Sequence, residues 1–209
     1  KPYNFISSEI STELFFLINL FIIISATAII NFINFMDGLD GIVGGCMLVV
    51  FLAASLIVNP NIFSLVGSLV GFLILNWSPA KVFMGDVGST FIGAVYAGYI
   101  FLCEDLTSSI SLILIASPLL VDAFTCVIRR LVNGQNIFRA HKLHLYQRLN
   151  QSGWSHSAVS TLYIGITFIL ALVNFAINTK YLFFSSFLVF ILGIALDQFV
   201  AVKFNAKIT

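Results

Sequence analysis

The chain has 209 residues, 59% of them hydrophobic and only 9% charged, with a formal net charge of +1. A mean hydropathy of +1.04 excludes an ordinary soluble domain and points to a polytopic membrane protein. The small net charge gives no footprint for nucleic acid. The apolar runs are long and unbroken, which favours helices over a β-barrel, whose strands alternate. Cys46, Cys103 and Cys126 all lie in apolar runs, with no CxxC pair and no histidine close by in sequence. They read as buried thiols acting as small hydrophobes.

A membrane-crossing helix needs about 20 apolar residues. Runs that meet or approach this length cover 12–33, 42–58, 62–77, 87–103, 109–128, 157–178 and 181–203. Asn59-Pro60-Asn61 breaks the second from the third, because proline and asparagine both favour turns. The expected fold is therefore all-α, a single integral membrane domain over 1–209 with about seven transmembrane helices. The loops at 34–41, 78–87 and 129–156 and the C-terminal tail then fall on one face. That face carries Lys81, Arg129, Arg130, Arg139, Lys142, Arg148, Lys203 and Lys207, against Lys1 and Lys180 on the other. The positive-inside rule makes it cytoplasmic. Lys1 falls on the far side, and the chain does not begin with Met, so a preceding segment crossing from the cytoplasm is expected.

The first of these loops holds Asn31, Asn34, Asp37 and Asp40 at steps of three, with Gly38 and Gly41 after the acids. A carboxylate in a membrane helix costs about 2.5–3.5 kcal/mol on the insertion scale. Two of them point to a junction opened to water. Carboxylates beside amide oxygens suit Mg²⁺ or a polar ligand; the plainer reading is a polar helix end with Asp at turn positions.

In the second loop, Asp86 sits between Gly85 and Gly88 just before an apolar run. It either caps the next helix or holds a divalent metal against a phosphate brought to the helix N-terminus, with Lys81 as a nearby cation. Asp122 lies seven and eight residues before Arg129 and Arg130, a spacing that predicts an internal ion pair.

The loop 129–156 is the one long polar segment, and no acid occurs between Asp122 and Asp197 to compensate its cations. Positive-inside bias and attraction to anionic headgroups account for most of this. A helix over 140–151 would place His141, His144 and Arg148 on one cationic or proton-donating stripe, with Leu143 and Tyr146 opposite. The histidine spacing also suits a zinc pair, but no third ligand is evident. His156 and Asp197 read as structural. Acids for a metal and bases for phosphates on one face suit phosphoryl transfer, which needs positioning and charge neutralisation more than covalent help.

Three stretches carry a resemblance. They are Asn34-Phe-Met-Asp37-Gly-Leu-Asp40-Gly, Phe83-Met-Gly-Asp86-Val-Gly-Ser89 and Arg139-Ala-His141-Lys-Leu-His144-Leu-Tyr-Gln-Arg148. In order and spacing they resemble the polyprenyl-phosphate sugar-1-phosphate transferases, glycosyltransferase family 4, and the third looks most like the bacterial branch that initiates O-antigen. The resemblance implies a Mg²⁺-dependent enzyme (Mn²⁺ as substitute) of the bacterial inner membrane. It would transfer an N-acetylhexosamine 1-phosphate from a UDP-sugar to undecaprenyl phosphate, releasing UMP. Asp86 and Asp37 would be metal ligands, and Asp37, Asp40, Asp86, His141 and His144 catalytic. Asn34, Lys81, Arg130, Lys142 and Arg148 would bind substrate, and a homodimer is compatible with the pattern.

Two departures matter. Several relatives carry a His-x-His-His cluster where this chain has His144-Leu-Tyr146-Gln147, and no acidic pair precedes Asn31 on the same face, Glu9 and Glu13 being on the wrong one. The chain alone is expected to have little transferase activity. Two other readings compete. An intramembrane aspartyl protease would use Asp86 and a second Asp, but the Gly-x-Gly-Asp signature lacks its first Gly. A cation-coupled transporter would use Asp37, Asp40 and Asp122, but no internal repeat is present.

Overall fold

The computed structural model describes residues 11–58, 60–137, 139, 141–177 and 179–204, and every regular element among them is helical. Lys1, Glu9, Asn59, Ala140, Asn178 and Lys207 lie outside the described residues. The helices are α1 (Thr12–Phe35), α2 (Ile42–Ile57), α3 (Phe63–Asn76), α4 (Gly85–Leu102), α5 (Leu106–Ile115), α6 (Ser117–Val132), α7 (Leu145–Gln151), α8 (His156–Ala176) and α9 (Thr179–Phe199). A single 3₁₀ turn, Pro60–Ile62, lies between α2 and α3.

α1 starts where the Ser11 hydroxyl accepts the Leu14 amide and α8 where Ser155 accepts Ala158, side-chain caps that satisfy otherwise orphaned N–H groups. α2 is the interior helix. Its residues from Ile42 to Met47 are all buried, and its glycines admit neighbours: a Cβ on Gly45 would lie 2.2 Å from Ile164 Cδ1 of α8. α1 and α9 are its opposite. Phe16, Phe21 and Ile23 on α1 and Phe183, Phe184 and Phe187 on α9 are more than half exposed, an apolar surface that water would not tolerate and lipid would.

Among the described residues three helices, α1, α8 and α9, are long and apolar enough to cross a membrane, or four if the bent pair α5–α6 counts as one span. The seven expected spans are not all met, and two features account for part of the difference. α2 and α3, at 16 and 14 residues, reach only about 24 and 21 Å, short of a hydrocarbon core of about 30 Å. The run 109–128 is not continuous: α5 and α6 meet at an angle of 74°. Pro118, in the first turn of α6, lacks the N–H that a through-going helix needs and crowds the carbonyl four residues back.

Candidate active site at the loop end of the bundle

The three polar loops meet at one end of the bundle because α1 and α4 run antiparallel in close contact. Gly93 makes this approach possible, since a Cβ there would stand 3.0 Å from Ile30 Cα. One turn along, the Asn34 amide donates to Ser89 Oγ at 2.8 Å and, more weakly, to Asp86 Oδ1 at 3.4 Å.

Asp37 follows the end of α1. Burial, then the charge of Asp86, pushes its carboxyl up to about 6, against a backbone hydrogen bond at Gly85 that lowers it. The Asp37 carboxylate takes a backbone hydrogen bond at Gly85, the neighbour of Asp86, and two carboxylates brought close are hard oxygen donors of the kind Mg²⁺ takes. The donor set fits that ion. Gly85 adopts φ +64°, a left-handed turn that glycine permits and that starts α4 with Asp86 in its first turn.

Asp40 is placed differently from the expectation that it lines this cleft. Its Oδ2 accepts the Ala80 amide at 3.3 Å and lies 3.3 Å from His156 Nδ1, and its carbonyl accepts the Ser160 hydroxyl at 2.7 Å. Asp40 thus ties its own loop to the Ala80 backbone and to α8, with His156 beside it. Asn76, which the sequence reading passed over, ties the same loops. Buried at the end of α3, it accepts the Gly41 amide at 3.0 Å and donates to the Val82 carbonyl at 2.8 Å. A lone amide closing an apolar run was the available signal.

The expected helix over 140–151 is shorter: α7 begins at Leu145, so His141 and His144 precede it. The start is fixed from another helix. Asp122 of α6 accepts the Leu145 and Tyr146 amides at 2.7 and 3.0 Å and the Tyr163 hydroxyl at 2.7 Å. An anion at a helix N-terminus satisfies its free N–H groups and its dipole. The predicted pair of Asp122 with Arg129 and Arg130 is therefore not formed.

The two imidazoles stack, with centroids 4.9 Å apart. His144 is buried beside Phe35, with ring centroids 6.2 Å apart, so it packs behind the acid junction instead of presenting itself to a phosphate. His141 is half-buried, and desolvation, followed by the His144 and Arg130 charges, brings its pKa down to about 4. It is neutral near pH 7 and adds no charge to the expected cationic or proton-donating stripe. Tyr146 locks the loop to the junction, its hydroxyl donating to the Phe35 carbonyl at 3.0 Å.

Neither arginine expected to bind substrate is directed to the cleft. Arg130 is 2% exposed and donates to Gln135 Oε1 and to the carbonyls of Asn136 and Ile137. Arg148 donates to the Leu143 and Val202 carbonyls and to Asp197, which also pairs with Arg129 at 2.8 Å. Both guanidiniums brace the loop. Asp197, unpartnered in sequence, is the acid that ties α6 and α7 to the last helix. Of the expected substrate-binding cations, Lys81 and Lys142 are exposed.

Residues 2–104 match the model of glycosyl transferase family 4. The chain is 33% identical over 177 residues to a phospho-N-acetylmuramoyl-pentapeptide-transferase of Carboxydothermus hydrogenoformans, covering 79% of the chain and 52% of that relative. It is 33% identical over 186 residues to the "probable undecaprenyl-phosphate N-acetylglucosaminyl 1-phosphate transferase" of Bacillus subtilis, covering 78% of the chain and 49% of that relative. A phospho-N-acetylmuramoyl-pentapeptide-transferase of Bacillus cytotoxicus is 31% identical over 175 residues. The chain spans about half the length of the curated relatives it matches.

Proposed function

We propose that this chain, which belongs to glycosyl transferase family 4, carries the metal- and phosphate-binding end of a polyprenyl-phosphate sugar-1-phosphate transferase. The observation that bears most weight is the approach of Asp37 to the start of α4, where it takes a backbone hydrogen bond at Gly85 and feels the charge of Asp86, to which Asn34 donates. In this reading the lipid phosphate of undecaprenyl phosphate attacks the β-phosphorus of a UDP-sugar of N-acetylhexosamine type. The bridging oxygen–β-phosphorus bond breaks, UMP leaves with its electron pair, and undecaprenyl-diphospho-sugar stays in the membrane. An attacking phosphate is already anionic near neutral pH, so no general base is assigned.

Asp86 and Asp37 would hold Mg²⁺, which supplies charge neutralisation at the diphosphate when bound. The chain's own groups do the positioning. Asn34 orients Asp86, and Asp40 with Asn76 holds the 77–84 loop against the junction. Exposed Lys81 and Lys142 would meet phosphate oxygens. The loop end is assigned to the cytoplasmic side of the bacterial inner membrane, where the positive-inside rule puts its cations, and the product would initiate a surface polysaccharide of the O-antigen type. The relatives named above are all transferases, which gives the proteolytic and transport readings no support.

The test supplies full-length protein with undecaprenyl phosphate, Mg²⁺ and a panel of UDP-sugars. The expected result is UMP release with one lipid-linked sugar, abolished by chelation. Transfer that persists at full rate in EDTA, or no lipid product from any UDP-sugar, would sink the proposal.

A further inference from the structure

Folding supplies the third metal ligand that the histidine spacing lacks. Cys126, in the middle of α6, comes up against the loop that precedes α7, and one donor atom each from Cys126, His141 and His144 lie within 4.8 Å of one another. We propose that these three residues form a binding site for one borderline-soft divalent ion of the zinc type, with a fourth position left to water. The site is separate in chemistry from the Asp37–Asp86 cleft and does not rest on the transferase reading.

Geometry comes first. A tetrahedral ion with metal–sulfur and metal–nitrogen bonds of about 2.3 and 2.0–2.1 Å holds its ligand atoms about 3.5 Å apart. Side-chain adjustments of about an ångström therefore close the cluster around an ion. Cys126 and His144 are buried and His141 is half-buried, so the donors are fixed by packing and one side stays open to entry.

The hydrogen bonding points the same way. His144 Nδ1 is buried with no hydrogen-bond partner among the described residues, and Asp122 Oδ1 stands 3.7 Å away. A carboxylate behind an imidazole is the arrangement that orients a metal-bound histidine through its other ring nitrogen. Asp122 already accepts from Leu145, Tyr146 and Tyr163, which keeps it behind the histidine and out of the ligand set. The Leu143 amide bond to His141 Nδ1 is long, at 3.3 Å, and is weak enough to be displaced.

The donor set selects the ion. Thiolate and imidazole favour zinc-like metals, whereas Mg²⁺ takes oxygen. Binding replaces the S–H bond of Cys126 with a sulfur–metal bond and releases the proton to solvent. The consequence is a clamp between α6 and the histidine loop, next to the cleft but outside it.

Co²⁺ is the probe. Titrated into the metal-free chain in detergent, it should bind one per chain, with a thiolate-to-cobalt charge-transfer band and the intense visible absorption of a tetrahedral site. Zn²⁺ should displace it and excess Mg²⁺ should not. Cys126→Ser should lose the charge-transfer band, and His144→Asn should weaken binding by about tenfold or more. The double variant Cys46→Ser/Cys103→Ser, which leaves Cys126 as the single cysteine, should keep the band and guards against a folding defect in the first variant. Absence of the band in folded wild type, or a band lost in the double variant and retained in Cys126→Ser, overturns the proposal. The readout is spectroscopic, so its failure is distinguishable from failure of the transferase reading.

Discussion

Replacing Gly38 by alanine tests how the histidine loop is held against the acid junction. The new Cβ would lie 2.2 Å from the Tyr146 hydroxyl oxygen, 3.1 Å from Cζ and 3.2 Å from Cε2. Gly38 is not among the glycines with positive φ, so the penalty is steric and owes nothing to backbone strain. Tyr146 is fully buried and its hydroxyl donates to the Phe35 carbonyl at 3.0 Å, so the ring has little room to retreat. Overpacking of this kind costs about 1–3 kcal/mol, and breaking the hydrogen bond adds about 1 kcal/mol. Tyr146→Phe alone should cost about 1 kcal/mol, through the stranded carbonyl. Combining the two removes the clashing oxygen and leaves only the two tight ring carbons. The double variant should therefore be more stable than Gly38→Ala alone, with a coupling of about 1–3 kcal/mol. Unfolding midpoints of the four proteins in one detergent give the cycle. Additive costs would refute the claim that the Tyr146 hydroxyl is why position 38 is glycine.

Three further outcomes are expected. Asn76→Ala leaves the Gly41 amide and the Val82 carbonyl without their partner, which should cost about 2 kcal/mol in unfolding free energy and lower transferase turnover more than metal affinity. Asp197→Asn takes the acid from Arg129 and from buried Arg148; removing one partner of a buried pair costs about 3 kcal/mol, and limited proteolysis should then cut within 129–156 faster than in wild type. The Asp37 carboxyl, raised to about 6, is protonated in the folded chain over a window where an unfolded carboxyl is ionised. Its contribution to stability is therefore full at low pH and lost as pH rises through about 6. Metal competes with that same proton, so the Mg²⁺ concentration for half-maximal transfer should climb as pH falls below 6, and Asp37→Asn should flatten the curve.

Helices, their breaks and the convergence of three polar loops were legible in the sequence. Hydropathy, proline and glycine act over a few residues, and an acid in an apolar run announces itself through its desolvation cost. The reading of Asp37 and Asp86 as neighbours came from that logic, since antiparallel helices joined by short turns return their loops to one end. The break at Ala116 was missed, since by its length the run 109–128 reads as one span.

Partner choice was not legible. Arg148 faces Asp197 across 49 residues of sequence and not a phosphate. Asp122 caps α7 from 23 residues away instead of pairing with its own helix. Cys126 meets two histidines that lie in a loop beyond the end of its own helix. A side chain's partner is set by which surfaces pack, and packing depends on the sum of contacts over the whole chain; periodicity says which face is apolar, not what will lie against it. The sequence alone therefore determined what kinds of group gather at the loop end. Tertiary structure decided which of them come together, Asn34, Asp37 and Asp86, and which hold the loops through protein partners, Asp40, Arg130 and Arg148.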